Sequence, residues 1–127
     1  MNLKSLWAVI AGVLVVIVVT TLIDVALHAA DVFPPMDQPI NDGQSLLATL
    51  YRVVVGIAGA WVTARLAPDK PMKHALVLGL VGTILALVGV VATWNLGLGP
   101  RWYPIALVVL AVPQSWAGGR LYAAQRR

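Results

Sequence analysis

Apolar residues run along this chain in long unbroken blocks instead of alternating with polar ones. Leu6 to Ile23 is 18 residues without a charge, and the block continues at helical periodicity to about Ala30. A second block, about Ser45 to Leu66, is interrupted by Arg52. A third, Ala75 to about Trp94, lies in an uncharged stretch that reaches Pro100, and a fourth, Trp102 to Gly119, holds Pro113 near its middle. One such block fits a buried core helix. Four of them in 127 residues fit membrane spans, at about 20 apolar residues per crossing. Barrel strands would alternate over about ten residues at a time, whereas the run from Val13 to Val19 does not alternate. In lipid the backbone must satisfy its own hydrogen bonds, so even this β-branched run is expected to be helical. The pattern predicts an all-α, integral membrane four-helix bundle. It forms a single transmembrane domain over residues 1–127, with helices at about 6–30, 45–66, 73–95 and 102–122.

A cleavable signal peptide is the competing reading of the first block, since Lys4 precedes it. The block is long for one, and Asp24 and His28 stand where a cleavage site is small and neutral. The first span is therefore expected to be a retained anchor. Loop chemistry separates the spans. Ala67-Pro68-Asp69-Lys70-Pro71 predicts a tight turn, because two prolines neither continue a helix nor allow one just before them. Pro34, Pro35 and Pro39 predict an extended first loop, and Leu96-Gly97-Leu98-Gly99-Pro100 a short turn.

Charge adds an orientation. Lys4, Arg65, Lys70, Lys73, Arg120, Arg126 and Arg127 fall at one end of the expected bundle. Arg101 falls at the other, with Asp31, Asp37 and Asp42. Cytoplasmic loops are enriched in Lys and Arg, so both termini are expected to be cytoplasmic. The aromatic residues agree with two interfaces: Trp7, Trp61, Trp116 and Tyr122 at the inner one, Trp94, Trp102 and Tyr103 at the outer. The net charge of +4 then reflects topology, and no nucleic-acid partner is expected.

Composition narrows the chemistry. Hydrophobic residues make up 60% and charged ones 11%, against about a quarter in soluble domains. There is neither Cys nor Glu, which removes thiol catalysis, thiolate metal sites and disulfides. No phosphate loop, nucleophile elbow, catalytic carboxylate pair or metal-binding helix motif appears. Neither an enzyme nor a cofactor is expected. Asp24, His28 and Asp31 have the i, i+4, i+7 spacing of a metal face, but without Cys, Glu or a second nearby His no metal is expected there. A transmembrane b-haem would need two inward-facing histidines, and His74 is placed at the inner boundary as an interfacial residue.

Two stripes of small residues mark helix contacts. In the third span they are Ala75, Gly79, Gly82, Ala86, Gly89 and Thr93; in the second, Ser45, Thr49, Gly56, Gly59 and Thr63, with Arg52 on the same line. Such stripes let backbones approach closely where lipid offers no hydrophobic drive, and close packing is expected along both. A second reading has them line a path. The repeated W-x-x-x-R-L at Trp61 and Trp116 records either two fused hairpins or two equivalent helix ends.

Asp24 and Arg52 lie at matching depth, each roughly 6–9 Å inside its helix end, on spans joined by the first loop. An unpaired charge there costs several kcal/mol, which pairing relieves, so an Asp24–Arg52 ion pair facing the interior is expected. His28 lies one turn beyond Asp24 on the same face, with Thr20 one turn before it. Three readings stay open for this cluster: a structural staple, the polar floor of an outward-opening pocket for an anionic or hydrogen-bonding ligand, and a proton-coupled site. Gln114 and Ser115 form a second polar spot beside Pro113. Either they satisfy the Val109 carbonyl that proline frees, or they contact substrate at a broken helix.

Asp24-Val25-Ala26-Leu27-His28, Val32-Phe33-Pro34-Pro35, Tyr51-Arg52, the stretch from Thr63 to Ala75, Ala92-Thr93-Trp94-Asn95 and Trp102-Tyr103-Pro104-Ile105-Ala106-Leu107 carry a resemblance. The chain resembles small, uncharacterised four-helix inner-membrane proteins of bacteria over nearly its whole length. The resemblance implies a bacterial inner-membrane location and the four-span topology, and no activity. The leading functional expectation is a non-enzymatic bundle in the lipid bilayer that packs with itself or with a larger membrane complex. The alternative is a small transporter or ligand-binding protein with an outward polar pocket at Asp24, His28 and Arg52.

Overall fold

The computed structural model describes residues 3–33, 41–97 and 100–125. Pro34, Pro35, Asp37, Pro39, Leu98, Gly99, Arg126 and Arg127 lie outside the described residues. Four helices run up and down: α1 (Leu3–Ala29), α2 (Asp42–Leu66), α3 (Pro71–Thr93) and α4 (Trp102–Gln125).

The helix ends follow from local chemistry. In α1, the Val32 amide donates to the Leu27 carbonyl at 3.0 Å and the Asp31 amide to that of His28 at 3.2 Å. Asp31 is in the left-handed region (φ 60). This is a Schellman ending with Asp where glycine is usual. It takes Asp31 out of the helix, so the face carrying Asp24 and His28 does not continue to it. At the start of α2, the Gln44 amide donates to Asn41 Oδ1 at 2.8 Å and the Asn41 amide to Gln44 Oε1 at 2.9 Å. That reciprocal capping box starts the helix three residues before the expected Ser45. Gln44 Nε2 also donates to the Val32 carbonyl at 2.8 Å, which ties the end of α1 to the cap of α2.

At the α2–α3 turn Ala67 is extended (ψ 134), as a residue before proline must be, and its amide still reaches the Thr63 carbonyl. Lys70 adopts φ 42, after which Pro71 opens α3 with its φ already helical.

Helices α1, α2 and α3 are each long and apolar enough to cross a membrane. α4 has the length, but Pro113, Gln114, Ser115, Gly118 and Gly119 dilute its apolar content, so by composition it stands apart from the other three.

α2 packs against all three other helices, α4 packs against α2 and α3, and among the described residues the backbones of α1 and α4 do not approach closely. The distribution of side-chain size reverses that of a soluble domain. Most buried positions are small, among them Ala8, Ala60, Ala64, Ala75, Ser45 and Thr63. Large residues face out, with Leu22 at 64%, Val54 at 67% and Val91 at 80% exposure.

Close packing is concentrated at the end carrying the termini. A Cβ on Gly12 would sit 2.9 Å from the Gly59 carbonyl oxygen, and one on Gly118 would sit 2.9 Å from the Trp61 amide. Thr63 donates to the Ala8 carbonyl at 2.9 Å. Val9, Ala60, Ala75 and Leu78 form the apolar core of this end. His74 lies in the first turn of α3, at the end carrying the termini, and is buried there. Its Nδ1 lies 3.0 Å from the Lys70 carbonyl and its Nε2 2.7 Å from the Ser5 hydroxyl, joining α3 to α1. A carbonyl only accepts, so Nδ1 carries the proton and in the neutral ring Nε2 accepts from Ser5.

Candidate functional site

Away from the termini the helices splay, and the other half of the bundle is hollow. A cavity of about 810 Å³ lies there, lined by all four helices. Its volume falls within the roughly 300–1,000 Å³ of small-molecule sites.

The small-residue stripe of α3 explains both halves. Gly79 meets Ser115, where a Cβ would come within 2.9 Å of the Ser115 Cβ. Gly82 is looser, with Ala111 at 3.8 Å, and at Gly89 nothing lies within 4 Å. Gly82, Ala86, Gly89 and Thr93 therefore line the cavity. Close packing holds along the terminal half of this stripe, while its other half makes room. The α2 stripe is packed throughout: Ser45, Thr49, Gly56, Gly59 and Thr63 are all buried.

The charged centre sits on the wall of the cavity. Arg52 Nη2 donates to Asp24 Oδ2 at 2.9 Å, and the Tyr51 hydroxyl donates to Asp24 Oδ1. One carboxylate of α1 thus holds two consecutive side chains of α2. Both partners of the ion pair keep partial exposure, 32% for Arg52 and 26% for Asp24, because the cavity reaches them. Tyr103 of α4 lies beside the Arg52 guanidinium. Arg52 Nε is buried and has no acceptor, so the guanidinium keeps donor capacity that the chain does not use.

Above this centre the Schellman turn folds Phe33 back over the site. Its ring meets His28 edge-on at 5.5 Å and lies 6.5 Å from Tyr51. Phe33 is buried, and together with His28 it roofs the pair. At the mouth, Arg101 stacks on Trp94 with its guanidinium carbon 4.6 Å from the ring centre. Among the described residues no carboxylate pairs with Arg101. Asp42 instead accepts from Trp102 Nε1 at 2.8 Å.

The expected site residues thus divide. Asp24, His28, Arg52 and Thr20 line one cavity, although the Thr20 hydroxyl turns back to the Val16 and Ile17 carbonyls. Gln114 and Ser115 part company. Gln114 reaches the same cavity from α4 and packs over Gly56, while Ser115 is buried in the α3–α4 contact. No hydrogen bond joins either to the Val109 carbonyl among the described residues, and α4 continues through Pro113. Sequence reasoning missed Tyr51, Tyr103 and Phe33. Adjacency to Arg52 does not by itself turn Tyr51 toward Asp24, and Tyr103 and Phe33 depend on turn geometry that spacing alone does not give.

Both copies of W-x-x-x-R-L make the same local contact. Arg65 lies over Trp61 at 5.4 Å and Arg120 over Trp116 at 5.8 Å, the same i, i+4 cation–π pair on α2 and α4.

No known protein family, curated protein or solved structure matches this chain.

Proposed function

We propose that the chain is a multi-pass bacterial inner-membrane protein with four spans and both termini cytoplasmic. In this reading it acts as a small transporter or ligand-binding protein through the cavity at its outward end. The observation that carries the reading is one volume holding an ion pair, two tyrosine hydroxyls and a histidine, walled by small residues and reached by all four helices. Membrane insertion is supported by the size reversal between core and surface. The fourth span is supported by the packing of α4 along α3, to which it runs antiparallel, and along α2, to which it runs parallel, and the orientation by the bias of Lys and Arg toward the terminal end.

A bundle acting only through its outer surfaces, alone or as an accessory subunit, has no use for a hollow half. The ion pair also bears on the choice, because a pure staple would be sealed on every side, and here it borders open space. Native mass spectrometry of the protein released gently from its own membrane tests the reading. The expected spectrum carries a small bound mass that is lost in Ala86→Leu, which fills the cavity. A bare chain, or a mass that Ala86→Leu retains, contradicts it.

A further inference from the structure

The cavity is open on one side as well as at its mouth. α1 and α3 meet near the termini, through Ser5–His74 and the Gly12–Leu78 contact. Beyond that they diverge, and among the described residues the backbones of α1 and α4 make no close approach. The outer half of the α1–α3 seam is therefore a slot. Leu85 stands on its edge, lining the cavity while remaining 55% exposed, and Gly89 beside it has open space where a side chain would sit.

The interior of the slot is graded. Val16, Leu85, Ala86, Leu107 and Ala111 make its deep walls mostly apolar, with Gln114 and Thr20 the uncharged polar residues among them, and the charged groups gather toward the loops. There Asp24 and Arg52 cancel one another. Arg101, at the mouth and without a carboxylate among the described residues, leaves the lining with a net cation. A slot open along a membrane-facing seam, with an apolar depth and one uncompensated cation at the headgroup level, has the chemistry of its complement: an anionic headgroup joined to a hydrocarbon chain.

The geometry points to a membrane lipid with an anionic headgroup as the ligand. It enters sideways between α1 and α3, its chain against Ala86 and Gly89 and its headgroup at Arg101. This rests on the pocket reading above and names the ligand class. Anionic lipid and a soluble organophosphate share the headgroup chemistry and differ in route, since a soluble anion enters through the mouth alone.

The test uses the full chain in phosphatidylcholine nanodiscs doped with phosphatidylglycerol bearing a diazirine near the end of one acyl chain. Phosphatidylcholine with the same diazirine chain serves as the comparison. The expected result is crosslinking at Leu85, Ala86 and Gly89, with about a fivefold preference for phosphatidylglycerol, the ratio roughly 1 kcal/mol from one cationic side chain gives. Arg101→Gln is expected to erase the preference and keep the crosslinks. Gly89→Leu, and independently Ala86→Leu, is expected to remove them while labelling of the outer α1 face at Leu14 and Val18 persists, which reports a folded bundle. Equal labelling by the two lipids overturns the anionic assignment. Labelling confined to outer faces overturns lateral entry. Glycerol 1-phosphate binding to the detergent-purified chain without the phosphatidylglycerol preference also overturns the lipid assignment, while leaving the pocket reading in place. Failure of all three probes, lipid and soluble, is the outcome that removes the pocket itself.

Discussion

Asp24 restrains two side chains of α2, with Tyr51 on one oxygen and Arg52 on the other. Replacing it with Asn keeps the volume and removes the charge both donors are set against. Hydrogen bonds to a charged group are worth about 1.5–3 kcal/mol, and the partial exposure of the pair places the loss toward the lower figure. Asp24→Asn and Arg52→Gln are each expected to lower the melting temperature in detergent. The double variant is expected to lose less than the sum, since neither charge is then left alone. Single variants that melt with the wild type would show that the pair contributes nothing to joining α1 and α2. This pair was legible in the sequence because charge in an apolar block has few solutions and the two residues lie at equal depth. The third partner was not. Tyr51 enters only when the face of α2 turned to Asp24 is known, and that depends on the capping box at Asn41 setting where the helix starts.

Helix pairing rests on glycine contacts whose tightness varies along the bundle. At Gly12 a Cβ would press on the Gly59 carbonyl, fixed as backbone of α2, and on the Thr63 hydroxyl, which cannot swing away without breaking its hydrogen bond to Ala8. Gly12→Ala is expected to cost about 1–3 kcal/mol, as overpacking does. Gly89→Ala meets nothing and removes a flexible residue from a helix, so a gain of about 0.5–1 kcal/mol is expected. Thermal melts of the two variants side by side check the contrast, and equal effects would contradict the division into packed and hollow halves. Asn41→Ala removes the side-chain arm of the capping box, the acceptor for the Gln44 amide, and leaves the backbone amide that donates to Gln44 Oε1; it is expected to cost about 1 kcal/mol, seen as earlier exchange of the first-turn amides of α2. The α3 stripe was readable as a line of small residues from its spacing alone. Whether small residues draw a neighbour in or leave a gap depends on what the neighbour presents. Opposite Gly79 stands Ser115, close enough to fill the contact, while near Gly89 neither α1 nor α4 comes close.

At the scale of the whole molecule, the bundle is closed at the end carrying the termini and open at the other, with small residues inside and large apolar ones outside. In the proposed orientation the closed end faces the cytoplasm. A reporter fused after Gln125 is expected to read inside, and a periplasmic signal from that fusion would contradict the orientation. Four helices and their order were legible from the long apolar blocks and the turn residues between them, although by apolarity α4 stands apart from the other three. The cavity was not, since it arises from the divergence of α1 from α3, and no spacing within one helix encodes an angle between two. The absence of Cys from the chain gives a clean background for the most direct test of an outward-opening cavity within a membrane bundle. Thiols react as thiolates and need water to form them. Single substitutions Thr93→Cys at the cavity, Ala75→Cys in the packed end and Leu80→Cys on the outer apolar face would be treated on intact cells with a membrane-impermeant maleimide. Rapid labelling of Thr93→Cys, with Ala75→Cys and Leu80→Cys both protected, is the expected result. Protection of Thr93→Cys equal to that of Ala75→Cys, or its labelling only after the cells are opened, would contradict an outward-opening cavity.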